Sequence, residues 1–579
     1  MLSRRSFIGS TLAIQCGIGA VQRRPNILLI LTDDQGYGDF SLRRNPILKT
    51  PTLDRLASES VEFTRFSVSP VCAPTRAALL TGRYPLRCGV HGVTKGRETM
   101  RSGEVTLAQA LKPAGYRTAL VGKWHLGENY PYVPHARGFD QFTGFRTGHW
   151  NWYFDSPVER NGKAAQLQGY IADALTDEGM RFIDQPSRDP FFLYLAYNTP
   201  HSPYQVPDKY FDAYAGKGLS AENQAIYGMV ANLDDNIARL LAHLERKNLA
   251  NDTIVVFLCD NGPQSERYNG GLRGRKGSVY EGGTRSPLLV RWPSKLKGGR
   301  KAPMIAAHID VMPTLLDLAG VKTPSGPAMD GTSLKPILEG SAEAWPERIL
   351  FTHADQQPNP LNPYPGCARM QRYKMVNGEE LYDLEADPGE KFNLAFDQGE
   401  MLRKLNGEYE KWFASTVQGF EPGAPPIPVG YSQENPAVLS APQATLDGGL
   451  RFYMKQGYAH DFVTGWQNAA DSMRWTVDAV NGGSYEAVVQ YRGPESAVGS
   501  KMSLGHGGVS IHAEVKAATR MEEVQLPHRV RSAVEAPVVH WAKLELGRLE
   551  LAKGRSELSL TMSGEGCEVK ALELKKIQA

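Results

Sequence analysis

Cysteine is scarce in this chain, with six residues in 579. Cys16 sits in the leader-like start, and the remainder are too few for a disulfide framework. One bridge has room to form, but the spacing does not name its partners. Excess charge is scarce too: 65 Lys and Arg stand against 62 Asp and Glu, a formal +3, which makes no case for nucleic acid as a partner. No apolar run approaches the ~20 residues that cross a bilayer, so no membrane span is expected. What remains is an ordinary globular composition, 41% apolar and 22% charged, long enough for more than one domain.

The first residues, MLSRRSFIGSTLAIQCGIGA, run from paired arginines (Arg4, Arg5) through a short apolar stretch to small residues. That is the order of a secretory signal, and SRRSFIG resembles a twin-arginine export signal. Residues 1–20 are expected to be removed after Ala20, with the protein exported to the periplasm or beyond. Ile14 and Gln15 are poor neighbours for lipid attachment at Cys16.

Apolar, β-branched runs alternate with helical patterns, which argues for an α/β core. Four runs end in reactive residues. Ile27 to Leu31 precedes Asp33 and Asp34; Thr118 to Val121 precedes Lys123 and His125. Phe191 to Tyr197 leads into Asn198 and His201, and Ile254 to Leu258 into Asp260 and Asn261. Unbroken apolar runs describe strands covered on both faces, and open α/β sheets bind ligands beyond the carboxyl ends of their strands. Singly, each pair also reads as a solvated turn; together they define a crevice. Asp33, Asp34, Asp260 and Asn261 form an all-oxygen set that suits Ca²⁺, with Mg²⁺ as the alternative, and not zinc. Arg76, Lys123, His125, His201 and Lys276 suit an anionic group. A hard metal beside basic residues fits a phosphate or sulfate ester.

In SVSPVCAPTRAALLTGRY, residues 67 to 84, Cys72 stands at the start of an expected helix. Pro74 suits its first turn, and Arg76 lies about one turn from Cys72. A helix start favours anions. CAPTRAALLTGRYP resembles the signature of the formylglycine-dependent sulfatases, within the alkaline phosphatase superfamily. RPNILLILTDDQGYGD, GYRTALVGKWHLG, NTPHSPY, VVFLCDNG, RGRKGSVYEGGTRSP and YKMVNGEELYDLEADPGEKFNLA are similar to further segments of that family, from about Arg24 to about residue 420.

The resemblance implies an alkaline phosphatase-like fold: a mixed, mostly parallel central sheet flanked by helices (residues 21–345) and a small α+β subdomain (346–420). It implies hydrolysis of sulfate esters, with a sulfated carbohydrate as substrate. Cys72 would be oxidised to formylglycine (3-oxoalanine) by a maturation enzyme, and its hydrated aldehyde would attack sulfur. Asp33, Asp34, Asp260, Asn261 and the modified Cys72 would bind the metal. Arg76 would position the diol, Lys123 would contact the diol or a sulfate oxygen, His125 would serve as base for the diol's collapse, and His201 and Lys276 would hold sulfate and protonate the leaving oxygen. Arg273 and Arg275 compete with Lys276 for its place. Cys259, where the family often carries a small polar residue, reads as packing. A phosphomonoester or phosphonate ester hydrolase is the nearest alternative chemistry, although an ordinary phosphatase would want Ser or Thr at position 72. A catalytically silent glycan receptor is the alternative from another class. The sequence names neither the sugar and its sulfate position nor an oligomeric state; loops 140–165 and 353–372 are expected to decide specificity.

After Phe420 a stretch rich in Pro, residues 421–445, reads as a linker or an extended wrap. Residues 446–579 alternate apolar and polar with Gly turns, as an extra β-sandwich does. This region is expected to be separable from the chemistry, serving as a structural appendage or a sugar-binding module. Trp466, Trp475 and Trp541 are its candidate platform, with core packing as the other reading.

Overall fold

The computed structural model describes residues 23–577 apart from 342–344, 355–360, 422, 469, 528–529 and 531–534. The expected export segment and Cys16 lie outside the described residues. In chain order the first ten strands are β1 (Asn26–Thr32), β2 (Val61–Ser67), β3 (Arg117–Lys123), β4 (Gln141–Phe145), β5 (Pro157–Arg160), β6 (Lys163–Gln166), β7 (Phe191–Ala196), β8 (Thr253–Cys259), β9 (Arg285–Arg291) and β10 (Arg300–Ala307). They form one sheet in the order β10-β2-β9-β8-β1-β7-β3-β4-β5-β6.

From β8 across to β4 every pairing is parallel, so the carboxyl ends of the four apolar runs line up along one edge. Antiparallel neighbours, β9 on one side and β5 on the other, flank this block. Alternation within β1 explains its unbroken apolar character. Ile27, Leu29 and Leu31 enter the core on one face, while Leu28 and Ile30 enter the core on the other. Helices cover both faces, among them Cys72–Thr81 on the first and the 26-residue Ala221–Arg246 on the second.

A four-stranded antiparallel sheet follows, from Leu350–His353 to Glu380–Asp383, with the helix Gly399–Val417 packed on it. Beyond it, two six-stranded sheets close on one core that includes Trp466, Trp475, Leu558 and Leu572. Trp466 and Trp475 are thus core residues, and the Trp475 indole N–H donates to the Ser440 carbonyl at 3.0 Å. Trp541 is half-buried and packs edge-on against Phe462.

The Pro-rich stretch is no free linker: it runs along the sandwich, as an extended wrap would, and contributes strands to it. Ile427–Val429 runs parallel to Ser472–Ala479 in one sheet, and Ala437–Ser440 pairs antiparallel with Glu568–Lys576 in the other. Ile427–Val429 is an edge strand, where Pro428 costs no ladder hydrogen bond. The sandwich also docks on the central-sheet region: Asn129 Nδ2 donates to the Val438 carbonyl at 2.9 Å, and Arg146 pairs with Glu434.

Candidate active site

Register brings the first carboxylates together. Thr32 stands opposite Cys259, so Asp33 and Asp260 leave adjacent strand ends. The Asp34 N–H donates to Asp260 Oδ1 at 3.1 Å. Asn261 Nδ2 donates to Asp34 Oδ1 at 2.8 Å. On the other side of β1, β3 delivers Lys123, whose Nζ lies 2.5 Å from Asp33 Oδ2. Asp34 and His125 take left-handed backbone conformations, φ 60° and 62°, a cost that clusters at functional sites.

The helix Cys72–Thr81 is buried along its whole length, with Val71 as its extended N-cap. Cys72 is 2% exposed, and its Sγ sits 3.3 Å from Asp33 Oδ1. Arg76, one turn on, is fully buried; it meets Asp260 Oδ2 at 2.9 Å and Asp33 Oδ2 at 3.4 Å and donates to the Lys123 carbonyl at 3.2 Å. His201 Nε2 lies 3.6 Å from Asp34 Oδ2, and its Nδ1 donates to the Ser202 carbonyl at 2.7 Å. Lys276 Nζ reaches Asp34 Oδ1 at 2.7 Å. Its rivals turn away: Arg273 donates to the Tyr382 hydroxyl and Arg275 to the Gln264 carbonyl. His125 Nε2 donates to the Val93 carbonyl at 2.9 Å. Asp33, Asp34, Cys72, Arg76, Lys123, His125, His201, Asp260, Asn261 and Lys276 therefore lie in one cluster or on its rim. Cys259 is buried at the end of β8. Among the described residues all five cysteines are free, so the bridge considered from composition does not form among them.

The electrostatics are those of a crowded, dry site. Burial opposes ionisation of Asp33, but Lys123, His201, Arg76 and Lys276 outweigh it and hold the carboxyl well below its usual range. Burial and the charge of Asp33 push Asp260 up to about 7. Burial and Asp33 likewise push the Cys72 thiol well above its ordinary value, the opposite of what an activated thiolate needs. Burial, Lys123 and Arg76 keep His125 neutral. With its Nε2–H committed to Val93, Nδ1 is the basic nitrogen, and it has no hydrogen-bond partner among the described residues. Burial and Lys276 lower His201 against the opposing pull of Asp34 and Asp33.

The donor set fits a hard divalent cation. Asp33, Asp34, Cys72 and His201 bring ligand atoms within 4.8 Å of one another, and Asp34 bonds to both Asp260 and Asn261. Asn261 Oδ1 is buried and accepts no hydrogen bond among the described residues, as an oxygen kept for a cation would be.

A cavity of about 310 Å³ opens over this cluster, lined by Cys72, His125, His201 and Lys276. Its other walls were not legible in advance. His149, from the loop after β4, lines it, as do Met454, Tyr458 and Glu535 from the sandwich. The 140–165 segment does face the cavity, through Gly148 and His149; the described part of 353–372 does not.

Comparison with known proteins agrees with this geometry. The sulfatase family model matches residues 25–321, and a model of the N-sulphoglucosamine sulphohydrolase C-terminal region matches residues 275–411. The chain is 32% identical over 384 residues to an uncharacterized sulfatase, YdeN, of Escherichia coli K12, covering 56% of this chain and 68% of that one. It is 34% identical over 364 residues to the N-acetylgalactosamine-6-sulfatase of Homo sapiens, covering 56% and 67%. Among solved structures, Ps i-CgsB in complex with k-i-k-neocarrahexaose superposes with a TM-score of 0.65 at 29% identity, over 70% of this chain and 95% of that one.

Proposed function

The chain belongs to the sulfatase family of sulfuric ester hydrolases, and from that premise we propose that it removes sulfate from a sulfated carbohydrate, with Cys72 matured to formylglycine. The carrying observation is the setting of Cys72: a helix start 3.3 Å from Asp33, enclosed by Lys123 and Lys276, with its thiol held protonated. A cysteine kept from forming a thiolate is a poor nucleophile as it stands; oxidised to the aldehyde and hydrated, the same position supplies an oxygen nucleophile.

Asp33, Asp34, Asp260 and Asn261, with the matured Cys72, would hold Ca²⁺ or Mg²⁺. The cation would offset the charge of the sulfate ester and of the nucleophile beside it. Arg76 fixes the carboxylates through its pairs with Asp260 and Asp33. Lys123 and Lys276 offer cationic donors to sulfate oxygens. His201 would protonate the departing sugar oxygen from Nε2, since Nδ1–H is committed to Ser202; the negative sulfate in the pocket favours the protonated ring against the lowering by burial and Lys276. His125 would take the proton that restores the aldehyde, through Nδ1.

The human and E. coli relatives carry sulfatase names, one of them for a sulfated amino sugar, and the carbohydrate complex of Ps i-CgsB supports a sugar substrate. Export is part of the proposal, resting on Arg4 and Arg5; among the described residues no helix is long and apolar enough to cross a membrane. The test is co-production with a formylglycine-generating enzyme. The Cys72 peptide is expected about 18 mass units lighter than encoded, and inorganic sulfate is expected from a panel of sulfated sugars. Full activity with an intact Cys72 thiol would refute the mechanism.

A further inference from the structure

The cavity over Cys72 has two sources. Its floor comes from the central-sheet region, and its opposite wall comes from residues much later in the chain. Met454, Tyr458, Ala459 and Asp461 belong to the connection between the short strands Arg451–Phe452 and Val463–Thr464, and Glu535 and Ala536 join them.

This wall is built, not draped. Asp461 is 1% exposed and staples the connection from within: Oδ1 accepts from the Met454 and Phe462 N–H groups at 3.1 and 2.9 Å, and Oδ2 from the Gly457 N–H at 3.1 Å. Positive φ at Lys455, Gly457 and His460 gives the segment its compact turns. The segment is also pinned to the opposite side of the pocket. Thr94 Oγ1 donates to the Gly457 carbonyl at 2.7 Å, and His460 Nε2 donates to the His149 carbonyl at 3.0 Å. The His460 ring packs on Trp150 and Trp152, with centroids 5.0 and 5.8 Å away. Asn151 Nδ2 donates to the Ala536 carbonyl at 2.9 Å, and Val530 packs against the apolar core beneath.

These contacts converge on the loop that carries His149. His149 lines the cavity, its ring centroid is 5.4 Å from that of His201, and its Nε2 is shielded from water without a hydrogen-bond partner among the described residues. A shielded ring nitrogen on a residue that lines a cavity is a site for a ligand group. Tyr458 is a 41% exposed aromatic beside it, with an apolar face and a polar tip.

We propose that the sandwich is part of the active site, and that Tyr458 and Met454 form the surface that reads the sugar carrying the sulfate, with His149 bonding one of its polar groups. The inference rests on the sulfated-carbohydrate reading above. The apolar C–H face of a sugar ring packs on an aromatic side chain, and a cavity of about 310 Å³, at the lower end of the ~300–1,000 Å³ of ligand pockets, matches one sugar residue better than a length of polymer. Tyr458 and Met454 are specificity residues; the chemistry stays with the floor.

The experiment compares the full-length matured enzyme with Tyr458→Ala and Tyr458→Phe. The probes are 4-nitrophenyl sulfate and a panel of monosulfated galactose, N-acetylgalactosamine, glucosamine and fucose, followed by sulfate release. For the sugar that the wild type cleaves fastest, Tyr458→Ala is expected to lower the sugar-to-aryl ratio of kcat/KM about tenfold or more, chiefly through KM, and Tyr458→Phe to restore most of it. A ratio within twofold of wild type, or equal loss on both substrates, would overturn the wall while leaving the sulfatase reading standing. A wild type that releases sulfate from no sugar of the panel would remove the carbohydrate reading, and the wall with it.

Discussion

Cys72 has little to do for packing and much to do for chemistry. It is small, sits at a helix start and touches Asp33. Cys72→Ala is therefore expected to cut turnover by roughly 10³-fold or more, while stability changes by ~1 kcal/mol or less, as read by sulfate release and thermal unfolding. Asp260 needs a gentler change. Its loss would leave the buried Arg76 guanidinium with Asp33, at 3.4 Å, as its one carboxylate partner among the described residues, and breaking a buried pair by removing one partner costs up to ~3–5 kcal/mol. Asp260→Asn keeps the shape and removes one charge; activity should fall, become more sensitive to chelators, and recover in part with added Ca²⁺. Undiminished activity that resists chelation would argue against a metal at this position. His201→Ala should act through the leaving group. A sugar alkoxide needs a proton as the bond breaks and a nitrophenolate barely does, so the sugar-to-aryl ratio should fall at least ~10²-fold. That loss should appear in kcat, which separates it from the KM effect expected at Tyr458.

The strands of the central sheet act as a delivery frame. Their parallel register sets Asp33, Lys123, His201 and Asp260 at one edge, and one glycine lets that frame close. Gly122 has φ +112°, and an added Cβ would lie 2.0 Å from the Ala196 carbonyl oxygen of the neighbouring strand. Gly122→Ala is expected to force β3 away from β7, at ~1–3 kcal/mol of backbone strain or more, and to move Lys123, the next residue. Both a lower Tm and a loss of kcat/KM should follow; a variant with wild-type values for both would mean the strands adjust without moving the site. The Pro-rich stretch after Phe420 illustrates the limit of composition at this level. Proline argues against helices and central strands, yet an edge strand tolerates it, and Ile427–Val429 is such a strand.

Across the whole molecule, the sandwich and the catalytic region share an interface that a cut would expose. A chain ending near residue 440 would leave Ile427–Val429 and Ala437–Ser440 without their partner strands, and would uncover Trp150, Trp152 and the His149 loop. Contrary to the separability expected from composition, such a truncation should lower soluble yield, Tm and activity on 4-nitrophenyl sulfate together. A truncated protein with the Tm and aryl-sulfatase activity of the full chain would show that the interface adds nothing to the site. Much of the rest was legible in advance, because it is written locally. Unbroken apolar runs mark doubly covered strands, and a parallel sheet collects whatever follows their carboxyl ends; that rule alone gathered Asp33, Asp34, Lys123, His125, His201, Asp260 and Asn261. The resemblance to the sulfatase signature marks Cys72 and Arg76, with helix geometry in support. Resemblance alone favours Lys276 over Arg273 and Arg275, because three basic residues in four positions carry no local signal for direction; the fold turns the two arginines away. The far wall of the pocket was beyond local reading altogether. His460 meets the His149 carbonyl across 311 positions of chain, and a contact of that span is set by how two cores dock, which no periodicity, propensity or spacing records.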